Sequence, residues 1–99
     1  DVCSSDLPKL KTVPEAVFKH TKLKLLNVSF NQVANVSDGI GQLIELEEFD
    51  LSGNHYLTKI SDEITKCKKL TKLTLTDTNL NQDAIAKLRQ LLPNTTIIL

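Results

Sequence analysis

The chain has 99 residues, enough for one domain, and its 12 lysines and arginines are balanced by 12 aspartates and glutamates. Zero net charge gives no basic surface for nucleic acid, and no apolar run reaches the roughly 18 residues that a membrane span requires. Two cysteines are too few for a disulfide framework, and scarce aromatic residues argue against a base-stacking surface.

The first seven residues, DVCSSDL, differ from the rest of the chain. They can be back-translated as GACGTGTGCTCTTCCGATCT, the sequence of a common sequencing adapter. Segments of such origin are excluded from fold reasoning. We therefore predict that residues 1–7 are not native and that residues 8–99 form the folded domain, as the C-terminal fragment of a longer protein. A genuine polar N-terminal segment is the alternative.

The segment that follows has apolar residues at spacings of three and four, which predicts a short helical turn with one buried face. These residues include Leu10, Val13 and Val17. His20 stands at a position that later segments fill with Leu43 and Cys67. A single histidine there is expected to be a partly exposed terminal residue rather than a ligand.

Three stretches further on, LKLLNVSFN, LEEFDLSGN and LTKLTLTDT, share one pattern of apolar positions at intervals of 23 and 24 residues. Such a period is typical of solenoids, in which each repeat buries its core against its neighbours. The pattern divides the chain into a partial repeat, three full repeats and a terminal strand: residues 8–22, 23–45, 46–69, 70–93 and 94–99.

Each full repeat is predicted to begin with a short strand. Because strand side chains alternate between the two faces, Leu26 and Val28 should point inward, as should Phe49 in the second repeat. Asn31 and Asn54 close the first two stretches. A carboxamide can bond to the backbone of the turn that leaves the strand, which a leucine cannot do.

The second repeat contains one extra residue near His55 and Tyr56, which should bulge at the rim. The pair is expected to be merely exposed in a looser turn, and the alternative is that it forms a contact feature. Cys67 of the same repeat replaces a leucine, and a free cysteine behaves as a small buried apolar residue. A nucleophilic thiol would need a nearby base and a cleft, and the sequence indicates neither.

The third repeat carries Thr78 in place of asparagine, and the segment after it departs from the pattern of the earlier repeats. Asn81 is a plausible helix N-cap, and the segment up to Pro93 predicts an α-helix of about ten residues. Ile85, Leu88 and Leu92 mark its buried face, with Leu91 beside them. The β-branched ending predicts a final strand through Ile97.

The repeated L-x-x-L-x-L-x-x-N frame resembles the leucine-rich repeat family, mostly its typical 23-residue class, and the LPN ending resembles bacterial members. The resemblance implies an α/β solenoid. It has a parallel β-sheet on its concave face, short helical or 3-10 segments on its convex face and one α-helix near the C-terminus. It also implies protein–protein interaction through the concave sheet, without catalysis.

The outward positions of successive strands form columns on the concave face that the core does not need. We therefore expect a binding surface formed by Leu25, Asn27, Ser29, Glu48, Asp50, Ser52, Lys72, Thr74 and Thr76. The alternative is that these are merely soluble strand-face residues, with Glu48 and Lys72 a cross-strand charge pair. The sequence contains no phosphate loop, metal motif or nucleophile motif, so no catalytic residue, metal or cofactor is predicted.

The expected partner is an unidentified protein, and the fragment is expected to be monomeric. No targeting signal distinguishes the cytoplasm from the cell surface. Two other functions remain open. One alternative is the targeting domain of a larger enzyme or receptor whose catalytic part lies upstream. The other is a structural spacer on a cell surface.

Overall fold

A computed structural model describes residues 2–3 and 10–99, and within them short strands alternate with helical segments. The strands are β1 (Val2–Cys3), β2 (Leu25–Asn27), β3 (Asn35–Val36), β4 (Glu48–Asp50), β5 (Lys59–Ile60), β6 (Lys72–Thr74) and β7 (Thr96–Ile98). The 3-10 helices are η1 (Glu15–Lys19), η2 (Asp38–Gln42) and η3 (Asp62–Lys66), and the α-helix is α1 (Gln82–Leu91).

The main sheet has the order β1-β2-β4-β6-β7, and all of its strands are parallel. Leu26 pairs with Phe49, Phe49 with Leu73, and Leu73 with Ile97, so the spacing of 23 and 24 residues is the spacing of hydrogen-bonded strands. This register confirms the predicted α/β solenoid, with one strand for each repeat.

The structure adds two features that the sequence analysis did not predict. A second, small sheet pairs β3 with β5 in parallel, just after the turn that leaves each main strand. In addition, Val2–Cys3 pairs with β2, with Val2 opposite Leu26, although we expected residues 1–7 to lie outside the repeat. The adapter origin of residues 1–7 stays a prediction, and residues 1 and 4–9 lie outside the described part.

The core is a single apolar cluster that runs through all repeats. The side chains that point inward from the strands are fully buried, as predicted: Leu26, Val28, Phe49, Leu51, Leu73 and Leu75 are at most 2% exposed. His20 is exposed, in agreement with its expected terminal position. Cys67 is buried.

Two core positions differ from the prediction. Phe18, in η1, is 1% exposed and had not been assigned to the core. It lies under Gly39, where a Cβ would come within 2.3 Å of the ring, so glycine makes this close approach possible. In α1, Leu88 is buried as predicted, but Ile85 is only half-buried; Leu91, which is also half-buried, packs against the core beside Leu92 as expected.

The two ladder asparagines bond in the predicted way and also reach into the preceding repeat. The Asn54 Nδ2 donates to Leu51 O at 2.7 Å and to Val28 O at 3.1 Å, while its Oδ1 accepts from Val33 N at 3.0 Å. Asn31 similarly donates to Val28 O and accepts from Leu10 N. Each carboxamide therefore fixes its own turn and holds that turn to the repeat before it.

Thr78 performs only the local part of this bonding, because its hydroxyl donates to Leu75 O at 2.8 Å. The N–H of Leu57, which corresponds to Val33 one repeat earlier, donates to Asn54 O instead. The predicted N-cap is confirmed, since Asn81 Oδ1 accepts from Ala84 N at 2.8 Å, and α1 begins there.

Replacing Phe49 by alanine should destabilise the fold by about 3–5 kcal/mol, since the buried ring leaves a cavity. Phe30, which is 65% exposed, provides the matched control, and Phe30→Ala should cost less than about 1 kcal/mol. Urea unfolding followed by circular dichroism gives both values. Similar midpoints for the two variants would contradict the core position of Phe49.

Asn54→Ala should destabilise more than Thr78→Ala. The first change removes four hydrogen bonds and leaves the buried Val33 N–H unpaired, at about 1–3 kcal/mol for each buried group that loses its partner. The second removes one local bond, worth about 1 kcal/mol. Equal losses of unfolding free energy in urea would show that the contact between repeats contributes nothing.

Candidate functional site

The register of the main sheet brings the predicted surface residues side by side. Leu25, Glu48 and Lys72 form one row across β2, β4 and β6. Asn27, Asp50 and Thr74 form the next row. A shallow depression of about 80 Å³ lies between these two rows. The strands are thus close enough for one bound molecule to touch three repeats, since neighbouring strands lie about 4.8 Å apart.

The first row carries opposite charges beside an apolar group. Lys72 Nζ lies 3.9 Å from a carboxylate oxygen of Glu48, and both side chains are about half-exposed. An exposed pair at this distance contributes little to stability, roughly 0–1 kcal/mol. Leu25 is half-buried next to Glu48. The row is therefore an accessible apolar and charged strip that the fold itself does not need.

Four of the predicted surface residues also serve the fold. Asn27 Oδ1 accepts from both the N–H and the hydroxyl of Ser29, at 3.0 and 2.7 Å. Asp50 and Ser52 repeat this arrangement at 2.9 and 2.7 Å. These bonds shape the turns at the carboxyl ends of β2 and β4, as Asx turns do. This role was not expected from the sequence. The signal for it is an asparagine or aspartate followed two positions later by a serine, which occurs in both repeats.

Phe30, an aromatic residue beside the concave rows, was not among the residues expected from the sequence. Phe30 has a φ of 58°, and the corresponding positions Gly53 and Asp77 have φ values of 74° and 59°. A bulky residue in this left-handed region is uncommon. The ring of Phe30 lies over Gly53, where a Cβ would come within 2.5 Å of it. The two turns read SFN at residues 29–31 and SGN at residues 52–54, so an alignment of the repeats would have placed Phe30 opposite Gly53.

The predicted bulge of the second repeat is present. His55 and Tyr56 are both exposed in the turn that follows Asn54, and Tyr56 is 63% exposed. Leu57 then returns to the core after the inserted residue. The rim beyond β4 thus carries a second exposed aromatic side chain in addition to Phe30.

Further ion pairs lie outside the concave rows. A hydrogen bond from Lys69 at 2.5 Å lowers the pKa of Glu45 and raises that of Lys69. In η3, the hydrogen bond between Lys66 and Glu63 raises the pKa of Lys66. These pairs are exposed, and they link side chains of neighbouring repeats or of one helical turn. They are surface pairs rather than a reactive site.

Cys67 lacks the character of a nucleophile. Its Sγ donates to Ile40 O at 3.3 Å, and burial raises the pKa of the thiol to about 11. The thiolate, which is the reactive form, is therefore rare at neutral pH.

Within residues 10–99, no three histidine, cysteine or carboxylate side chains gather into a group that could hold a metal ion. The helices of the described chain are all too short or too polar to cross a membrane.

The comparisons with known proteins agree with this architecture. The family model for the leucine-rich repeat matches residues 21–80, which is more than half of the chain, so the chain belongs to the leucine-rich repeat family. A leucine-rich repeat protein of Leptospira interrogans has a similar solved structure, with a TM-score of 0.86 and 28% sequence identity. The match covers 92% of this chain and 23% of the Leptospira chain. The search against curated proteins gave no match.

Members of this family are typically non-enzymatic recognition modules, and the repeat module is commonly used for protein–protein interaction. The Leptospira structure is far longer than the present chain, which spans less than a quarter of its length.

Gly53→Ala should be destabilising for two separable reasons. The positive φ costs a residue with a Cβ about 1–2 kcal/mol, and the new methyl group also meets the Phe30 ring. In a Phe30→Ala background, Gly53→Ala should cost only the free energy that comes from the positive φ. The four proteins of this double-mutant cycle are compared by urea unfolding. Equal costs of Gly53→Ala in both backgrounds would show that the ring does not depend on the glycine.

Proposed function

We propose that this protein binds a partner protein through its concave sheet, with the row formed by Leu25, Glu48 and Lys72 at the centre of the contact. The observation that carries the proposal is the register of β2, β4 and β6. It places three side chains of three different repeats next to one another, and neither the core nor the turns use them.

The chemistry of the row indicates what it would bind. A carboxylate, an ammonium group and an aliphatic side chain lie in adjacent strands, so the surface suits a partner with charges of both signs beside an apolar group. Phe30 extends this surface at the carboxyl rim, since it follows Ser29 and is largely exposed. Large aromatic side chains contribute disproportionately to binding energy at protein interfaces.

The Asx turns support the proposal in a second way. They hold the ends of β2 and β4 in one conformation before any partner arrives. A surface that is already ordered loses less conformational entropy on binding. Asn27, Ser29, Asp50 and Ser52 thus position the contact residues, and their own polar atoms remain half-exposed at its edge.

A second proposal is that this concave surface works as the targeting module of a longer protein. It is favoured by one observation, namely that the chain matches only 23% of the length of the Leptospira structure. The prediction of a cell-surface spacer has no comparable observation in its favour.

Exchange of the two charges, Glu48→Lys with Lys72→Glu, tests the first proposal. The exchange keeps an opposite-charge pair, so the free energy of unfolding should change by less than about 1 kcal/mol. A partner whose charged groups contact Glu48 and Lys72 should bind at least about tenfold more weakly. The matched control exchanges Glu63 and Lys66, an ion pair in η3 away from the concave sheet.

The measurement is quantitative affinity capture from a lysate of the source organism. It compares the unchanged protein, the Glu48/Lys72 exchange and the Glu63/Lys66 exchange. Captured proteins are compared by mass spectrometry, and the interaction is then titrated with the purified partner. The proposal expects a partner lost with the Glu48/Lys72 exchange and kept with the Glu63/Lys66 exchange. A partner that both exchanges retain equally would contradict the concave site.

A further inference from the structure

A groove with a volume of about 590 Å³ lies between the small sheet and α1. One side is formed by β3, β5 and the residues that follow them, and the other side by α1. Its apolar lining consists of Val36, Ile60, Leu80, Ala84, Leu88 and Leu91. The groove shares no lining residue with the concave depression, so it is a separate feature of the molecule.

The small sheet grows by one strand for each repeat and then stops beside this groove. Before β3, Ala34 N donates to Lys11 O, and β5 then pairs with β3 so that Ile60 lies opposite Val36. In the third repeat, Asp83 follows Thr78 by five residues, as Val36 follows Asn31 by five residues. Asp83 therefore stands at the position of the buried Val36 and Ile60. A carboxylate without a partner cannot occupy a buried position, so the chain turns into α1 instead of forming a third strand.

The edge of β5 that faces the missing strand carries backbone polar groups. Ser61 N donates to Val36 O at 3.0 Å, which sets the side from which β3 is bonded. Successive residues of a parallel strand bond to opposite neighbours. The N–H and C=O of Ile60 are therefore directed away from β3, toward the side on which the groove lies. An open edge of this kind is a template for another strand.

We propose that an extended peptide segment of a partner protein binds in this groove as the third strand of the small sheet. Its backbone pairs with Ile60 along the edge of β5, which is the mode of strand addition seen in peptide recognition. One aliphatic side chain continues the column of Val36 and Ile60, and the next side chain, which points outward, is acidic and lies beside Lys59.

The walls of the groove define these side chains. Leu80 and Leu91 are half-buried and apolar, and they face the place where the aliphatic side chain would lie. Lys59 is exposed and belongs to none of the side-chain ion pairs in residues 10–99. An acidic neighbour in the added strand would complete a cross-strand charge pair with it.

The two sides of the groove are held in place without the peptide. Lys87, on α1, lies 3.0 Å from a carboxylate oxygen of Asp62, the first residue of η3. Leu88 is buried in the core beneath the same helix face. The burial of Leu88 therefore fixes the position of α1, to which the exposed Lys87–Asp62 pair adds little.

The test uses the full 99-residue chain labelled with ¹⁵N and, as the probe, an acetylated and amidated heptapeptide of alternating glutamate and valine. The peptide should shift the backbone amide signals of residues 58–62 and of the first half of α1, and should slow hydrogen exchange at the Ile60 amide. Ala84→Trp fills the groove and should weaken binding at least about tenfold. Ala86→Trp, on the exposed face of the same helix, should leave binding unchanged.

A second variant tests the charge at the edge and does not depend on the packing of α1. Lys59→Glu should reverse the preference from the glutamate–valine peptide to a lysine–valine peptide, by about two- to fivefold in each direction.

Three results would overturn the proposal. They are shifts confined to the concave rows, equal binding by the Ala84→Trp protein, and absence of any shift up to about 1 mM peptide. Shifts of the same amides that depend on protein concentration without peptide would assign the groove to a second copy of the chain, and would overturn it as well.

Discussion

The structure depends on one interaction, the contact of a ladder asparagine with two successive turns. The carboxamide of Asn54 bonds to carbonyls of its own turn and to backbone groups of the repeat before it. The turn that leaves a strand has to bury polar backbone groups because the core lies directly beneath it. A side chain with one acceptor and two donor hydrogens satisfies these groups, and it also fixes the distance between repeats. Between β2 and β4 this spacing accompanies the parallel register that pairs Leu26 with Phe49.

The end of the repeat pattern follows from the loss of the same interaction. Thr78 bonds within its own turn, and the Leu57 N–H finds a local acceptor. The third turn is held to the second repeat by a backbone bond, from Asn79 N to Leu57 O at 3.1 Å, instead of by a carboxamide. Asp83 then excludes a third strand from the small sheet, Asn81 caps a helix, and the groove remains between the sheet and that helix. Thr78 in place of the ladder asparagine and Asp83 in place of a buried apolar residue thus account for the change of architecture in the third repeat.

The surface divides into residues that the fold uses and residues that it leaves available. On the concave side, Asn27 and Asp50 close turns, whereas Leu25, Glu48 and Lys72 face outward without a structural task beyond one weak ion pair. This division separates the part of the predicted binding surface that a partner can select from the part that shapes the turns after β2 and β4. The ring of Phe30 belongs to both parts, because it packs over Gly53 and is still largely exposed.

The sequence by itself determined the repeat length, the inward leucines, the ladder asparagines, the helix after Asn81 and the two concave rows. These features are periodic, and a period of 23 or 24 residues maps directly onto strands that pair in register. Only the tertiary structure decided the features that depend on contacts between unlike positions. These include the burial of Phe18 under Gly39, the partial exposure of Ile85 on α1, and the Asx turns. The small sheet belongs with them, since its strands have two residues each and no alternation long enough to read. Such short strands exist because the neighbouring repeat presents hydrogen-bonding partners at the right distance, which is a property of the stack rather than of any one segment.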